Sequence, residues 1–130
     1  YLVASTVEGI LAQRLVRTLC KECKQAYEPH REDVPEDFPF EEVLDLKETV
    51  YRPNGCRSCR GTGYAGRMGL YEYLETNDEI RQLTTNRISS NLVKEAAIKA
   101  GMKTLRMDGW AKIRSGATSF DEVLRVTKED

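Results

Sequence analysis

The chain has 130 residues, 40% of them hydrophobic and 32% charged, which is typical of a soluble globular protein. Lys and Arg total 20 against 21 for Asp and Glu, so the net charge of −1 provides no global field that would attract nucleic acid. No apolar run approaches the length needed to cross a bilayer, which excludes a transmembrane protein.

The opening run, Tyr1-Leu2-Val3-Ala4-Ser5, has no initiator Met and no basic region typical of a signal peptide. It is typical of the end of a buried strand, so we expect the chain to be part of a longer protein. Ser5 and Glu8 have the spacing of a capping box at a helix start. Apolar residues then recur at helical spacing: Val7, Ile10, Leu11, Leu15 and Leu19. This pattern predicts an amphipathic helix that ends at Cys20.

The middle of the chain is predicted to be irregular. Residues 27–39 contain three prolines among acidic residues, which predicts a solvated loop, and His30 within it is interpreted as an exposed residue. A short helix is predicted over residues 40–46, and Thr49-Val50-Tyr51 has β character. Asn54-Gly55 signals a turn immediately before Cys56.

The C-terminal half is predicted to be one strand followed by a helical bundle. Residues 66–74 alternate between apolar and polar positions, which predicts a strand. Short amphipathic segments follow, each with a candidate capping or terminating residue: Asn77, Ser89 or Ser90, Gly101, Thr104, Gly116 and Ser119. Trp110, with Met107 and Ile113 at helical spacing, is interpreted as core, and residues 121–130 as a solvated helix face with a frayed tail.

Two CxxC motifs carry the chemistry, one formed by Cys20 and Cys23 and the other by Cys56 and Cys59. Each motif holds two sulfurs close enough for one ion, and two motifs complete a tetrahedron. Closing the 32-residue loop between them costs roughly 3 kcal/mol, whereas structural zinc contributes about 10 kcal/mol or more. A site with four cysteines leaves no open position for water or substrate, so we predict a structural zinc ion.

The same cysteines are compatible with three other arrangements, namely two disulfides, a rubredoxin-like iron site and a redox-active CxxC. Zinc bound by four thiolates carries a formal charge of −2, which nearby cations would offset: Lys21, Lys24, Arg57 and Arg60. The glycines at 61, 63 and 66 are interpreted as knuckle and turn residues, because no Lys-Ser or Lys-Thr pair follows as in a phosphate-binding loop.

Three stretches resemble one known family. The run LVASTVEGILAQRLVRTLC over residues 2–20 is similar to the segment that enters the tetracysteine module of the secretion ATPases. The run GCRSCRGTGYAGRMGLYE over residues 55–72 resembles the segment that leaves this module, and residues 102–109 and 116–127 resemble the C-terminal helices. The family comprises the hexameric motor ATPases of type II secretion and type IV pilus assembly.

The resemblance implies an α+β chain that follows a RecA-like catalytic domain, which would bind ATP and Mg²⁺. It divides the sequence into the end of that domain (residues 1–19, strand and helix), a tetracysteine zinc module (20–65), and a strand with C-terminal helices (66–130). The chain contains no GxxxxGK followed by Ser or Thr, so alone it is expected neither to bind nor to hydrolyse ATP.

The resemblance also implies roles for particular residues and partners. Cys20, Cys23, Cys56 and Cys59 take the metal positions, and Arg14 and Arg17 are candidates for a place near a nucleotide or a subunit boundary. The parent ATPase would be a homo-hexamer in the cytoplasm, bound peripherally to the bacterial inner membrane. Its expected partners are inner-membrane platform proteins, and no nucleic acid is expected to bind. Two rival interpretations of the cysteines are an Hsp40-type zinc repeat and a nucleic-acid-binding zinc ribbon.

Overall fold

The computed structural model describes residues 8–128, and within this range the chain is α+β, as predicted. A single 3₁₀ turn lies at Arg31–Asp33. The strands are β1 (Gly9–Leu19), β2 (Gln25–Tyr27), β3 (Val50–Arg52) and β4 (Tyr64–Glu75). The helices are α1 (Phe40–Asp45), α2 (Asp78–Thr85), α3 (Ser90–Lys99), α4 (Leu105–Arg114) and α5 (Phe120–Val126). None of these helices is long and apolar enough to span a membrane.

The helix predicted before Cys20 is wrong, because residues 9–19 form strand β1, which pairs with β4. The residues that seemed to form one helical face do not share an environment: Leu15 is exposed whereas Leu19 is buried. Strand pairing satisfies the backbone of this segment and overrides its helical spacing. Ser5 of the predicted capping box and Val7 of the predicted helical face lie outside the described residues.

A small antiparallel sheet connects the two cysteine motifs. Strands β2 and β3 pair with Gln25 opposite Arg52 and Tyr27 opposite Val50. Because β2 begins soon after Cys23 and β3 ends shortly before Cys56, this pairing holds the two distant motifs side by side. The predictions of a short helix at 40–46 and of β structure at 49–51 are both confirmed.

The chain divides into two compact units, one formed by residues up to Gln13 together with Tyr71–Leu105 and the other by Arg14–Leu70 together with the residues from Arg106 onward. The first has a small core built from Ile80, Ala96 and Ala97. The four C-terminal helices are therefore distributed over two units, since α2 and α3 belong to the first unit and α4 and α5 to the second. The predicted boundaries of the tetracysteine module, between residues 19 and 20 and between residues 65 and 66, stay a prediction.

The core of the second unit is aromatic. The ring of Phe38 packs edge-on against Trp110 at 5.3 Å and against Phe120 at 4.8 Å between centroids. The predicted burial of Trp110 is confirmed, as is that of Ile113, whereas Met107 is 42% exposed. Phe38 and Val34 are buried, so the prediction of a fully solvated loop over residues 27–39 is wrong. Their apolar side chains turn inward although the prolines prevent regular structure.

The C-terminal elements otherwise follow the prediction. Strand β4 covers residues 66–74, and the Asn77 side chain accepts a hydrogen bond from the Ile80 N–H at 2.8 Å, which caps α2. Gly101 and Gly116 have φ of 105° and 79° and lie two positions after the last residues of α3 and α4. The predicted solvated face at the end of the chain is wrong for Glu122, which is 1% exposed, and residues 129–130 lie outside the described range.

Candidate metal centre

The four cysteine sulfurs form one cluster in which all lie within 4.8 Å of one another. The Sγ atoms of Cys20 and Cys56 are 3.8 Å apart, those of Cys23 and Cys59 are 3.7 Å apart, and those of Cys56 and Cys59 are also 3.7 Å apart. Four sulfurs at about 2.3 Å from a tetrahedral ion are separated by about 3.8 Å. The cluster therefore has the dimensions of a tetrathiolate metal site. A disulfide needs about 2.05 Å, and all four cysteines are free.

Backbone hydrogen bonds close each knuckle and join the two motifs. The Lys24 N–H donates to the Cys20 carbonyl at 2.9 Å, and the Gly61 N–H donates to the Cys56 carbonyl at 2.8 Å. The Cys20 N–H donates to the carbonyl of Gly63 at 2.9 Å, so the first motif is bonded directly to the loop that follows the second. The sulfurs are consequently held in place by backbone geometry as well as by any ion they bind.

Three backbone N–H groups point at sulfurs. Gly55 donates to Cys23 Sγ at 3.3 Å, while Cys59 Sγ accepts from Cys56 at 3.3 Å and from Gly63 at 3.2 Å. Burial disfavours the Cys59 thiolate, but the two N–H donors, together with side-chain hydrogen bonds from Cys23 and Cys56, outweigh it and lower the pKa of Cys59 to about 6. At Cys23 burial dominates over the Gly55 N–H and raises the pKa to about 12. A bound cation would favour the thiolate at every position, so the donor set fits a thiophilic metal.

Glycine is required at one position next to the cluster. Gly63 is buried with φ of 84°, and a Cβ added there would lie 2.5 Å from the Pro53 Cβ. A larger residue would both strain the backbone and displace the N–H that donates to Cys59. Gly61 and Gly66 also have positive φ, but a Cβ at either meets no atom within 4 Å. The prediction that these glycines serve the knuckle and its turns is confirmed for their backbone conformations.

The predicted basic residues lie around the cluster in different environments. Lys24 Nζ donates to the Gly116 carbonyl at 2.9 Å and sits 4.2 Å from the centroid of the Tyr51 ring. Lys21, Arg57 and Arg60 are exposed. All four cations lie within or next to the knuckles, where their charges would offset that of a tetrathiolate ion.

Arg17 is bound to a buried carboxylate that the sequence did not reveal. Glu122 accepts a hydrogen bond from the Arg17 backbone N–H at 2.6 Å, and its oxygens lie 3.1 and 3.2 Å from Arg17 Nε and Nη2. Arg125 donates to the same carboxylate at 3.1 and 3.0 Å, and the Arg17 guanidinium stacks over the Tyr64 ring at 4.1 Å. Burial acts to raise the pKa of Glu122, but bonding to Arg125 and Arg17 outweighs it and lowers that pKa to about 2.

Sequence reasoning missed Glu122 because 105 positions separate it from Arg17. Ser119 is a predicted capping residue, and its hydroxyl does accept a hydrogen bond from the Glu122 N–H at 3.4 Å. The carboxylate, however, bonds Arg17 and Arg125. Arg14 is exposed on β1, so the two candidate arginines have different environments, and a role near a nucleotide or a subunit boundary stays a prediction for both.

The strand that leads into Cys20 is fixed to the turn between α4 and α5. The Leu19 N–H donates to the Ala117 carbonyl at 2.9 Å, and the Thr118 hydroxyl donates to the Arg17 carbonyl at 2.7 Å. Together with the Lys24 bond to Gly116, these contacts tie the first cysteine motif to residues that come more than 90 positions later. The cysteine cluster and the α4–α5 turn are thus parts of one hydrogen-bonded structure.

Comparison with known proteins identifies the family. Residues 1–125 match the family described as type II/IV secretion system protein. The chain is 40% identical over 129 residues to the type IV pilus assembly ATPase TfpB of Acinetobacter baylyi, which covers 97% of this chain and 21% of that protein. It is 39% identical over 133 residues to the type II secretion system ATPase E of Vibrio cholerae, covering 99% and 25%. It is 39% identical over 127 residues to the type IV pilus assembly ATPase PilB of Thermus thermophilus, covering 98% and 14%. The chain spans a quarter or less of these relatives and belongs to the type II/IV secretion system protein family.

Proposed function

We propose that this chain is the C-terminal, zinc-containing region of a hexameric ATPase that powers type II protein secretion or type IV pilus assembly. The observation that carries the proposal is the tetrathiolate cluster within a chain that belongs to this family throughout residues 1–125. The relatives are ATPases of both systems, and the similarity to each is nearly equal, so the proposal covers both.

Zinc is the proposed ion, held by Cys20, Cys23, Cys56 and Cys59, and its role is structural. Four thiolates occupy all positions of a tetrahedral ion, so no position remains at which water or substrate could be activated. When bound, the ion would join the end of β1 to the loop before β4, in addition to the hydrophobic core that the second unit forms around Phe38 and Trp110.

The catalytic domain of the proposed parent would bind ATP and Mg²⁺ upstream of this chain. The test compares the full-length parent with the 130-residue chain in ATP binding and hydrolysis. We expect hydrolysis by the parent and neither activity in the chain alone, which contains no phosphate-binding loop motif. A full-length protein that hydrolyses no ATP under conditions that support assembly would refute the motor function.

The proposed location is the cytoplasmic face of a bacterial inner membrane, where the tetracysteine module would contact platform proteins of the secretion or pilus apparatus. Family membership supports this part of the proposal. Movements of a ring of subunits would be passed to the platform through that contact, which requires subunit interfaces with two alternative packings. Co-purification of the platform protein with the full-length parent is the expected outcome, and its absence would contradict this contact.

Of the two candidate arginines, Arg14 is the better placed for a subunit boundary or a nucleotide. Arg14 is exposed, whereas the Arg17 guanidinium is held by Glu122 and lies over Tyr64. In the full-length parent, Arg14→Ala is therefore expected to change ATP turnover or ring assembly without changing the unfolding midpoint. Arg17→Ala is expected to lower that midpoint, which separates a structural role from one at an interface.

A further inference from the structure

An open groove of about 620 Å³ lies between α1 and the segment that follows β2. Its apolar lining includes Tyr27, Pro29, Phe40, Val43 and Leu44. Phe40 and Val43 are buried, whereas Leu44 is 58% exposed at the edge of the groove and Leu46 nearby is 61% exposed. A concave apolar surface with an exposed leucine at its edge is the form of a peptide-binding groove.

The groove lies in the most acidic part of the chain. Residues 28–48 contain nine acidic and two basic residues, a net charge of −7, whereas the rest of the chain carries +6. The overall charge of −1 therefore conceals a strong separation of charge along the sequence. A surface with this local charge attracts cations over about a Debye length, even though the whole molecule is nearly neutral.

Some of these carboxylates are already paired within the unit. Asp37 is bound by Arg106, and Glu48 by Arg114. Glu28, Glu41 and Asp45 are exposed and form no ion pair within residues 8–128. Glu28 lines the groove directly, as do Lys47 and the paired Glu48, whereas Glu41 and Asp45 do not line it and lie three residues before and one residue after Leu44 in α1. The segment around the groove therefore presents three exposed carboxylates that form no ion pair within residues 8–128.

We propose that this groove is a docking site for a segment of another protein that combines an apolar anchor with lysine or arginine. The apolar side chain would fill the space beside Leu44 and Phe40, and the cations would pair with Glu28, Glu41 and Asp45. This inference rests on the proposed platform contact of the tetracysteine module and specifies the surface and the chemistry of the partner. Charge complementarity favours a cationic protein segment as the ligand, because a nucleic acid or an anionic membrane would be repelled by a segment of net charge −7.

The test uses fluorescence anisotropy with the zinc-loaded 130-residue chain and a short labelled peptide of Leu and Lys at helical spacing. Two control peptides replace either every Lys with Glu or every Leu with Ser. We expect the Leu–Lys peptide to bind and both controls to bind at least about tenfold more weakly. Added salt should weaken binding without abolishing it, because the apolar contact is not screened. Equal binding of the Leu–Lys and Ser–Lys peptides would overturn the proposal, since it would show ion exchange without an anchor.

Two variants of the chain locate the site. Leu44→Ser removes the anchor contact, and the double variant E28K/D45K reverses two charges that form no ion pair within residues 8–128. Each variant should therefore lower the affinity for the Leu–Lys peptide about tenfold. Leu92→Ser and E75K/E95K, at exposed positions of α3 and β4, are the matched controls and should leave binding unchanged. Binding that both sets of variants weaken equally would place the peptide elsewhere and overturn the assignment.

Two other occupants of the groove are distinguished in the same experiments. Self-association of the chain that Leu44→Ser abolishes would show that a second copy covers the groove. Loss of peptide binding in the full-length parent would show that the parent's own upstream domain covers it. Either result would overturn docking of another protein here, and neither would affect the proposed ATPase activity, which is measured separately.

Discussion

The ion pair between Glu122 and two arginines gives a sharp prediction about stability. Glu122→Gln replaces the carboxylate with an amide of the same shape, so the packing around it is retained. The amide oxygen can still accept from the Arg17 backbone N–H, but its NH₂ group faces guanidinium donors of Arg17 or Arg125. The variant therefore removes charge and places donors against donors at a side chain that is 2% exposed.

The magnitude follows from the pKa of Glu122. Its ordinary value of 4.5 is lowered to about 2, because bonds from Arg125 and Arg17 outweigh the effect of burial. A difference of this size corresponds to about 3 kcal/mol of folding free energy. A depressed carboxyl pKa contributes stability that is present above the unfolded value and is lost as the pH falls through the folded value. The contribution is therefore complete near neutral pH and disappears between pH 4.5 and about pH 2.

The assay is urea unfolding followed through the fluorescence of Trp110, which is buried in the same unit. Near neutral pH, Glu122→Gln should lower the free energy of unfolding by about 3 kcal/mol, and the difference from the natural chain should shrink toward zero near pH 2. Acid also releases metal from thiolates, but the cysteines are the same in both proteins, so the difference between them isolates Glu122.

Glu95→Gln, at an exposed position of α3, is the matched control and should change the free energy of unfolding by less than about 0.5 kcal/mol. A Glu122→Gln variant as stable as the control near neutral pH would contradict the reasoning. So would a loss of stability that stays constant down to the acid end of the titration, because it would then arise from packing and not from charge.

Two further substitutions test the site and the core. In Gly63→Ala the added Cβ would lie 2.5 Å from the Pro53 Cβ, in addition to the strain of a positive φ, whereas Gly66→Ala has that strain alone. Zinc affinity and the unfolding midpoint should therefore fall clearly more in Gly63→Ala than in Gly66→Ala. Equal losses in the two variants would contradict a steric role for Gly63. Phe38→Ala should cost about 3 to 5 kcal/mol in urea unfolding, because the ring contacts Trp110 and Phe120, and a loss below about 1 kcal/mol would show that this loop residue is not core.

The sequence predicted the cluster of four cysteines better than it predicted the surrounding fold. Cys20 and Cys56 are far apart in the chain, yet the CxxC spacing alone indicates that their motifs share an ion. The glycines at 61 and 63 were also identified, since a knuckle needs positive φ in a short segment. The metal's identity does not follow from spacing or from sulfur geometry, because zinc and iron are bound by the same four thiolates.

The errors have a common physical origin. Residues 9–19 have helical spacing, but their pairing with β4, which begins 45 positions after β1 ends, makes them a strand. Phe38 lies among prolines and acidic residues, and its burial depends on Trp110 and Phe120 from the other end of the chain. Glu122 stays charged although it is buried because Arg125 and Arg17, the latter 105 positions earlier, bond to its carboxylate. Local patterns do not contain such long-range partners, so a single sequence cannot reveal them.

X-ray absorption at the zinc edge, with metal analysis of the chain purified without added metal, tests the central claim most directly. We expect one zinc per chain surrounded by four sulfurs at about 2.3 Å, and a large fall in the unfolding midpoint when a chelator removes the ion. Iron in place of zinc, nitrogen or oxygen in the first coordination shell, or a midpoint that chelation leaves unchanged would contradict a structural zinc site formed by Cys20, Cys23, Cys56 and Cys59.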